Sequence, residues 1–153
     1  MADTDPIKII ARNKRALRDY VITDRFEAGV ALVGSEVKVL REGRVTLAGA
    51  HVRVQGGEAW ALGIEIPEYP QANRFNHETS RDRKLLLHRR EIEKLQRELR
   101  ERGAACPVLA IYFKGSRVKI EFGLARGKRK ADKRELLKKR DAQRDIERAA
   151  RGK

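Results

Sequence analysis

The chain has 153 residues, of which 36 are Lys or Arg and 22 are Asp or Glu, leaving a formal net charge of +14. That length holds one ordinary domain and an extension rather than two cores, and so large a basic excess calls for a polyanionic partner. Nucleic acid and an anionic membrane both answer that demand, but no apolar run approaches the ~20 residues needed to span a bilayer, so no membrane span is expected.

Lys8, Arg12, Lys14 and Arg15 break up the first twenty residues, so no secretory signal is expected and residues 1–18 read as an N-terminal extension. From Asp19 to Leu124 short apolar-patterned runs alternate with turn signals, the pattern of a small β domain with a few helices. Tyr20, Ile22 and Phe26 open the first run. Val37 and Leu40, three apart after Gly34 and Ser35, predict a short helix capped by Ser35 and stopped by Gly43. Gly56-Gly57 between residues 51–55 and 58–64 is a strong hairpin signal, because both glycines accept positive φ. Val52 and Val54 are expected to face Trp60, Leu62 and Ile64 across it. Residues 67–76, with Pro70, Asn73 and Asn76, read as a loop.

Leu85, Leu86, Ile92, Leu95 and Leu99 recur near helical spacing, which predicts a helix over residues 80–102 with Gly103 as its stop. Residues 108–113 and 118–122 flank Lys114-Gly115-Ser116-Arg117, a second and looser hairpin. From Arg126 onward thirteen Lys or Arg stand against five Asp or Glu, so +8 of the +14 lies in the last 28 residues. Leu136, Leu137 and Ile146 are too few to bury a helical face. Residues 125–153 therefore read as a basic tail, disordered when free and helical on a polyanion. Pairs such as Glu135 with Lys139 would support that helix.

Catalytic patterns are missing. His51, His77 and His88 are scattered, no metal-ligand spacing or glycine-rich phosphate loop is present, and no cofactor is implied. Cys106, the single cysteine, excludes an internal disulfide, fits a reducing cytoplasm, and reads as a packed small residue. Phe26, Trp60 and Tyr112 read as core. The positive signal is the basic clusters, residues 81–90 and 126–140, which supply phosphate affinity without reading sequence. Selectivity must then come from shape, as in recognition of folded RNA.

Five segments carry a resemblance: Ala11-Arg12-Asn13-Lys14-Arg15-Ala16 with Asp19-Tyr20; Phe26-Glu27-Ala28-Gly29; Gly34-Ser35-Glu36-Val37-Lys38-Val39-Leu40-Arg41; Arg81-Asp82-Arg83-Lys84-Leu85-Leu86-Leu87-His88 with Glu91-Ile92; and Gly127-Lys128-Arg129 with Asp132-Lys133-Arg134. In that order they resemble the SsrA-binding protein family. The resemblance implies a mainly β fold with flanking helices, an OB-type antiparallel β-barrel over residues 19–124 with a basic C-terminal tail.

It implies a monomeric RNA-binding protein, not an enzyme. Its partners would be transfer-messenger RNA, the small ribosomal subunit and its RNA, and, through the charged RNA, elongation factor Tu. The RNA-binding residues so implied are Asn13, Lys14, Glu27, Gly29, Glu36, Lys38, Arg41, Arg81, Arg83, Lys84, Leu85 and Leu86. Arg126, Lys128, Arg129, Asp132, Lys133 and Arg134 would work at the decoding centre, in the empty messenger channel. Ala131 stands where members often carry a ring. Glu27 has a second reading, a strand-end salt bridge. A general RNA chaperone or a nucleic-acid-processing enzyme are the competing classes; the first would lack preference for one RNA, and the second would need clustered carboxylates.

Overall fold

A computed structural model describes residues 6–100 and 104–127. Eight strands form one antiparallel sheet with three short helices: β1 (Ile7–Arg12), α1 (Lys14–Asp19), β2 (Tyr20–Val30), α2 (Gly34–Arg41), β3 (His51–Gln55), β4 (Glu58–Leu62), β5 (Arg83–Leu86), α3 (Arg89–Glu98), β6 (Ala104–Ala105), β7 (Val108–Lys114) and β8 (Arg117–Gly127). A 3-10 turn covers Pro70–Phe75.

The strand order is β1-β7-β8-β2-β5-β4-β3, with β6 added beside β8. The mainly β architecture with flanking helices is therefore as expected, but the ladder does not close into a continuous barrel. The β3 end meets the segment entering β7 through an isolated bridge between His51 and Pro107, where Val52 N–H donates to Cys106 O at 2.7 Å and Val108 N–H to Ala50 O at 3.0 Å. The sheet also takes in residues the sequence reading assigned elsewhere. β1 pairs with β7, so residues 7–12 are sheet rather than extension, and β8 carries the pairing past Leu124 to Gly127 opposite Tyr20. The remaining tail, from Lys128, lies outside the described residues.

Both hairpins form. Gly56 and Gly57 adopt φ of 61° and 76°, the left-handed pair that a two-residue turn matched to strand twist requires. Gln55 then pairs with Glu58, which sets Val52 opposite Ala61, Val54 opposite Ala59 and Arg53 opposite Trp60. The expected facing of Val52 and Val54 with Trp60 and Leu62 was one residue out of phase, and a one-residue slip exchanges the faces of a strand. The second hairpin is tighter than its sequence suggested: Lys114 pairs with Arg117 directly across Gly115-Ser116.

The largest departure is at residues 80–102. Arg83–Leu86 is a strand between β2 and β4, paired to Gly29 and Val30 on one side and Trp60 and Ala61 on the other. Arg83 and Leu85 are buried while Lys84 and Leu86 are exposed, a period of two that the leucine run conceals. The helix begins only at Arg89, where the Glu91 carboxylate accepts from His88 N–H at 3.2 Å. It lays Ile92, Leu95 and Leu99 on the core. In α2 the cap is likewise not Ser35: Val33 occupies that position, and the Glu36 carboxylate accepts its N–H at 3.0 Å.

The core joins Val39 and Leu40 of α2, Ala59 and Ala61 of β4, Leu85, Leu95, Ile111, Ile120 and Phe122. Phe26 stacks on Phe122 with centroids 5.4 Å apart. A β-bulge between Ile22 and Asp24 faces β8, and there Gly123 leaves no room for a side chain: an added Cβ would lie 2.7 Å from Ile22 Cγ2 and 2.9 Å from Asp24 O. No described helix is long and apolar enough to cross a membrane.

Buried among these elements are Glu36 and Arg83, both at 0% exposure. Arg83 Nε donates to Glu36 Oε2 at 2.6 Å, and its Nη1 and Nη2 donate to Ile64 O at 2.7 Å and Thr79 O at 3.1 Å. Arg81 closes the other side of the carboxylate. Burial alone pushes the Glu36 carboxyl up; hydrogen bonds from Arg81, Val33 N–H and Arg83 outweigh it and hold the group below its ordinary 4.5. Its stabilising contribution is thus complete above pH 4.5 and is lost as the pH falls through the lower, folded value. Glu36→Gln is expected to lower stability at pH 7 by about 3–5 kcal/mol, the usual consequence of unpairing a buried charge. It should also flatten the loss of stability below pH 4.5. Urea unfolding at pH 7 and across the acid range measures both, and a variant as stable as the parent at pH 7 would contradict the assignment.

Candidate nucleic-acid interface

Residues paired directly across an antiparallel ladder share a face, so register assembles the exposed side of the sheet. Arg53 pairs with Trp60 and Trp60 with Lys84. Two residues on, Leu86 pairs with Gly29, Gly29 with Lys119, Lys119 with Tyr112 and Tyr112 with Ile9. A single band therefore runs from β3 to β1, with Glu27 and Glu121 paired in the next row. Leu86 is 59% exposed and Ile9 42%, unusual positions for aliphatic side chains in so charged a chain. The missing side chain at Gly29 matters here, since its absent Cβ would sit 3.4 Å from Leu86 Cβ and Cδ1.

Glu27 is held at the centre of this band. Tyr112 donates its hydroxyl to Oε2, and Lys114 Nζ lies 3.0 Å from Oε1. The Tyr112 hydrogen bond lowers the Glu27 carboxyl most; burial opposes it, Lys114 adds to it, and the balance is a depressed value. Burial, and then the hydrogen bond to Glu27 and the Glu27 charge, push the Tyr112 phenol up. Tyr112 is thus buried, as expected of core, but its ring lies on the outward side and its hydroxyl orients a surface carboxylate. Trp60, also read as core, is only half-buried. Glu27 does form the salt bridge of its second reading, on an exposed face where RNA could reach it.

The other implied residues divide. Asn13 is 4% exposed; its amide donates to Leu47 O and Val108 O, each at 2.9 Å, and its Oδ1 accepts from Ala16 N–H at 3.1 Å, capping α1. Both of its amide protons and one acceptor site of its oxygen are used inside the fold. Glu36, Arg83 and Leu85 are buried and cannot touch RNA without unfolding. Lys14, Lys38 and Arg41 are exposed, with Lys38 Nζ 5.3 Å from the centroid of Tyr69. Arg81 keeps 29% of its side chain exposed beside Glu36. Lys84 is exposed and paired with Glu58 at 3.0 Å. Arg126 is exposed at the end of β8; Lys128, Arg129, Asp132, Lys133 and Arg134 lie outside the described residues.

Sequence reasoning missed Tyr112, Lys114, Lys119, Trp60 and Ile9 as members of this face. Residues 108–113 are a continuous apolar run without alternation, so which parity faces outward is decided by pairing with β1 and β8. Among the described residues no three His, Cys, Asp or Glu gather to hold a metal. Burial pushes the Cys106 thiol up to about 12, so it stays protonated at neutral pH and serves as a packed side chain.

The SmpB protein family model matches residues 10–152. An SsrA-binding protein of Carboxydothermus hydrogenoformans is 52% identical over 144 residues, covering 94% of this chain and 97% of the relative. One from Desulforudis audaxviator is 46% identical over 149 residues, covering 97% of each. Among solved structures, a chain described under "tmRNA-SmpB: a journey to the center of the bacterial ribosome" superposes with a TM-score of 0.67 at 38% identity, covering 83% of this chain and 93% of that one.

The Glu27 geometry yields a direct test. Tyr112→Phe removes the strongest influence holding the carboxyl down, so the Glu27 midpoint followed by carboxyl carbon NMR is expected to rise toward its ordinary 4.5. The lost hydrogen bond should lower stability at neutral pH by about 1 kcal/mol, at the modest end because the carboxylate is partly solvated. An unmoved midpoint would show that Tyr112 does not orient Glu27.

Proposed function

The chain belongs to the SmpB family of SsrA-binding proteins, and from that premise we propose that it binds the transfer-RNA-like domain of transfer-messenger RNA and accompanies it to stalled bacterial ribosomes in trans-translation. The observation that carries the reading is the outward band around Glu27. It combines a rigidly oriented carboxylate acceptor, flanking Lys114 and Lys119, and the exposed Leu86 over Gly29. Phosphate contacts position an RNA without reading it; a carboxylate that accepts from base amino or ribose hydroxyl groups, beside an aliphatic surface for an unstacked base, supplies selectivity.

In this proposal the exposed Lys14, Lys38, Arg41 and Lys84 add phosphate affinity around the band, while Asn13, Glu36, Arg83 and Leu85 act on binding only by holding it in place. Residues 128–153 enter the messenger channel of the small subunit, where Lys128, Arg129, Lys133 and Arg134 meet ribosomal RNA near the decoding centre. Elongation factor Tu is engaged through the charged RNA. The protein works as a cytoplasmic monomer without catalysis of its own.

Binding of the transfer-RNA-like domain and of an elongator transfer RNA at matched salt measures selectivity, and Glu27→Ala is expected to narrow the gap between them about tenfold, the scale of one charge-assisted hydrogen bond of ~1.5 kcal/mol. Chain truncated after Gly127 should keep most of the affinity for the domain and lose peptide tagging on stalled ribosomes. Equal affinity of the parent for both RNAs would favour a general RNA chaperone instead.

A further inference from the structure

A groove opens at the β3 edge of the sheet between α1, β3, the end of α3 and β6, with a volume of about 750 Å³, and shares Arg53 with the β3 end of the outward band. Its floor is Ala16, Ala50, Val52 and Cys106, each no more than 5% exposed. Small residues make the walls, Ala48 and Gly49 on one side and Ala104 and Ala105 on the other, so flat groups can approach the backbone closely. The volume lies within the range of pockets that hold small ligands, roughly 300–1,000 Å³.

The rim is cationic. Arg15, Arg53 and Arg100 border the groove against a single carboxylate, Asp19, which faces Arg15 at 3.7 Å and Arg18 at 3.5 Å. Arg53 and Arg100 are exposed and have no ion pair among the described residues. Elsewhere on the outward band Lys84 pairs with Glu58, Lys114 with Glu27, and Arg25 with Glu121. Two rings complete the groove. Tyr20 is half-buried at its mouth and His51 exposed on β3, with His51 Nδ1 3.1 Å from Gly49 O. The carbonyl can only accept, so Nδ1 is the donor of that bond.

We propose that this groove is a binding site for an unpaired nucleotide of a single-stranded RNA segment, with the base seated between Tyr20, His51 and the alanine walls and the flanking phosphates on Arg53 and Arg100. Planar rings beside unpaired guanidiniums over a shallow apolar floor are the chemistry of single-strand recognition. The basic tail is a poor occupant by comparison, because its own charge opposes the rim. Nor is the groove catalytic: it holds no pair of carboxylates, and its one thiol stays protonated.

The test uses the full chain and a fluorescein-labelled RNA heptamer carrying one 4-thiouridine, read by anisotropy and by mass-spectrometric mapping of photo-cross-links. Cross-links are expected within residues 48–54 or 104–107, and cross-links confined to residues 128–153 would overturn the site. The double variant Arg53→Glu with Arg100→Glu is expected to weaken binding at least tenfold more than Lys8→Glu with Arg44→Glu, which changes the net charge equally on exposed positions elsewhere. Equal weakening would reduce the effect to overall charge. Ala48→Trp, at an exposed wall position, fills the groove without altering charge and should abolish the groove cross-link; its persistence would exclude insertion of a base. A heptamer with an abasic centre should bind several-fold more weakly, and binding as tight as the intact strand would overturn the stacking role of Tyr20 and His51. Selective binding of the transfer-RNA-like domain reads the outward band, so its retention alongside any of these failures would sink this site alone.

Discussion

Glu36 and Arg83 have no exposure to solvent, and charges so placed are tolerated only when every polar atom has a partner. The trio with Arg81 meets that condition by drawing in distant segments: Val33 N–H at the entrance to α2, the carbonyls of Ile64 and Thr79 in the chain between β4 and β5, and Ala31 O beyond β2. Among the described residues no buried side-chain nitrogen or oxygen lacks a partner. The same carboxylate caps α2 and neutralises the centre of the sheet. Apolar replacement of such a cluster can preserve stability, but it removes the directional demands that fix register.

Those demands decide what the surface presents. With Arg83 turned inward, alternation turns Lys84 and Leu86 outward, opposite Trp60 and Gly29. Leu86 then lies over the glycine, two residues along β2 from the carboxylate that Tyr112 and Lys114 hold. The sequence Arg81-Asp82-Arg83-Lys84 looks like a uniform basic cluster, yet its arginines are spent largely on the interior and its lysine on Glu58. On the band around Glu27, Lys84, Lys114 and Arg25 each face a carboxylate, whereas Arg53 and Arg100, without an ion pair among the described residues, border the groove between α1 and α3.

The helices serve this division without forming either surface alone. α1 is fixed by Asn13, whose buried amide ties it to Leu47 and Val108, and so sets Arg15 and Tyr20 at the groove. α3 is fixed by Leu95 in the core and by Lys94, which bonds Asp24 at 2.6 Å and lies 5.6 Å from the Phe26 centroid. That attachment brings Gln96 and Arg100 to the opposite rim.

The chain by itself determined whatever depends on neighbours in sequence or on total charge. The Gly56-Gly57 turn, the second hairpin, the helix ending at Gly43, the polyanionic partner and the five ordered segments of family resemblance were all legible, because each rests on local backbone preference, composition or matched residue types. Parity and pairing were not. Arg83–Leu86 lies in a leucine-rich run with helical spacing, and only burial of Arg83 against Glu36, 47 residues earlier, makes it a strand. Val52 faces Ala61 because the turn counts two residues, a choice invisible in the alternation alone. Asn13 and Glu36 sit in motifs that resemble RNA-binding ones, but tertiary structure turns them inward, since an amide and a carboxylate with several close donors and acceptors gain more from those than from solvent. Tyr112 reads as core in sequence, and it becomes part of the site only because β2 and β8 bring Glu27 within reach of its hydroxyl.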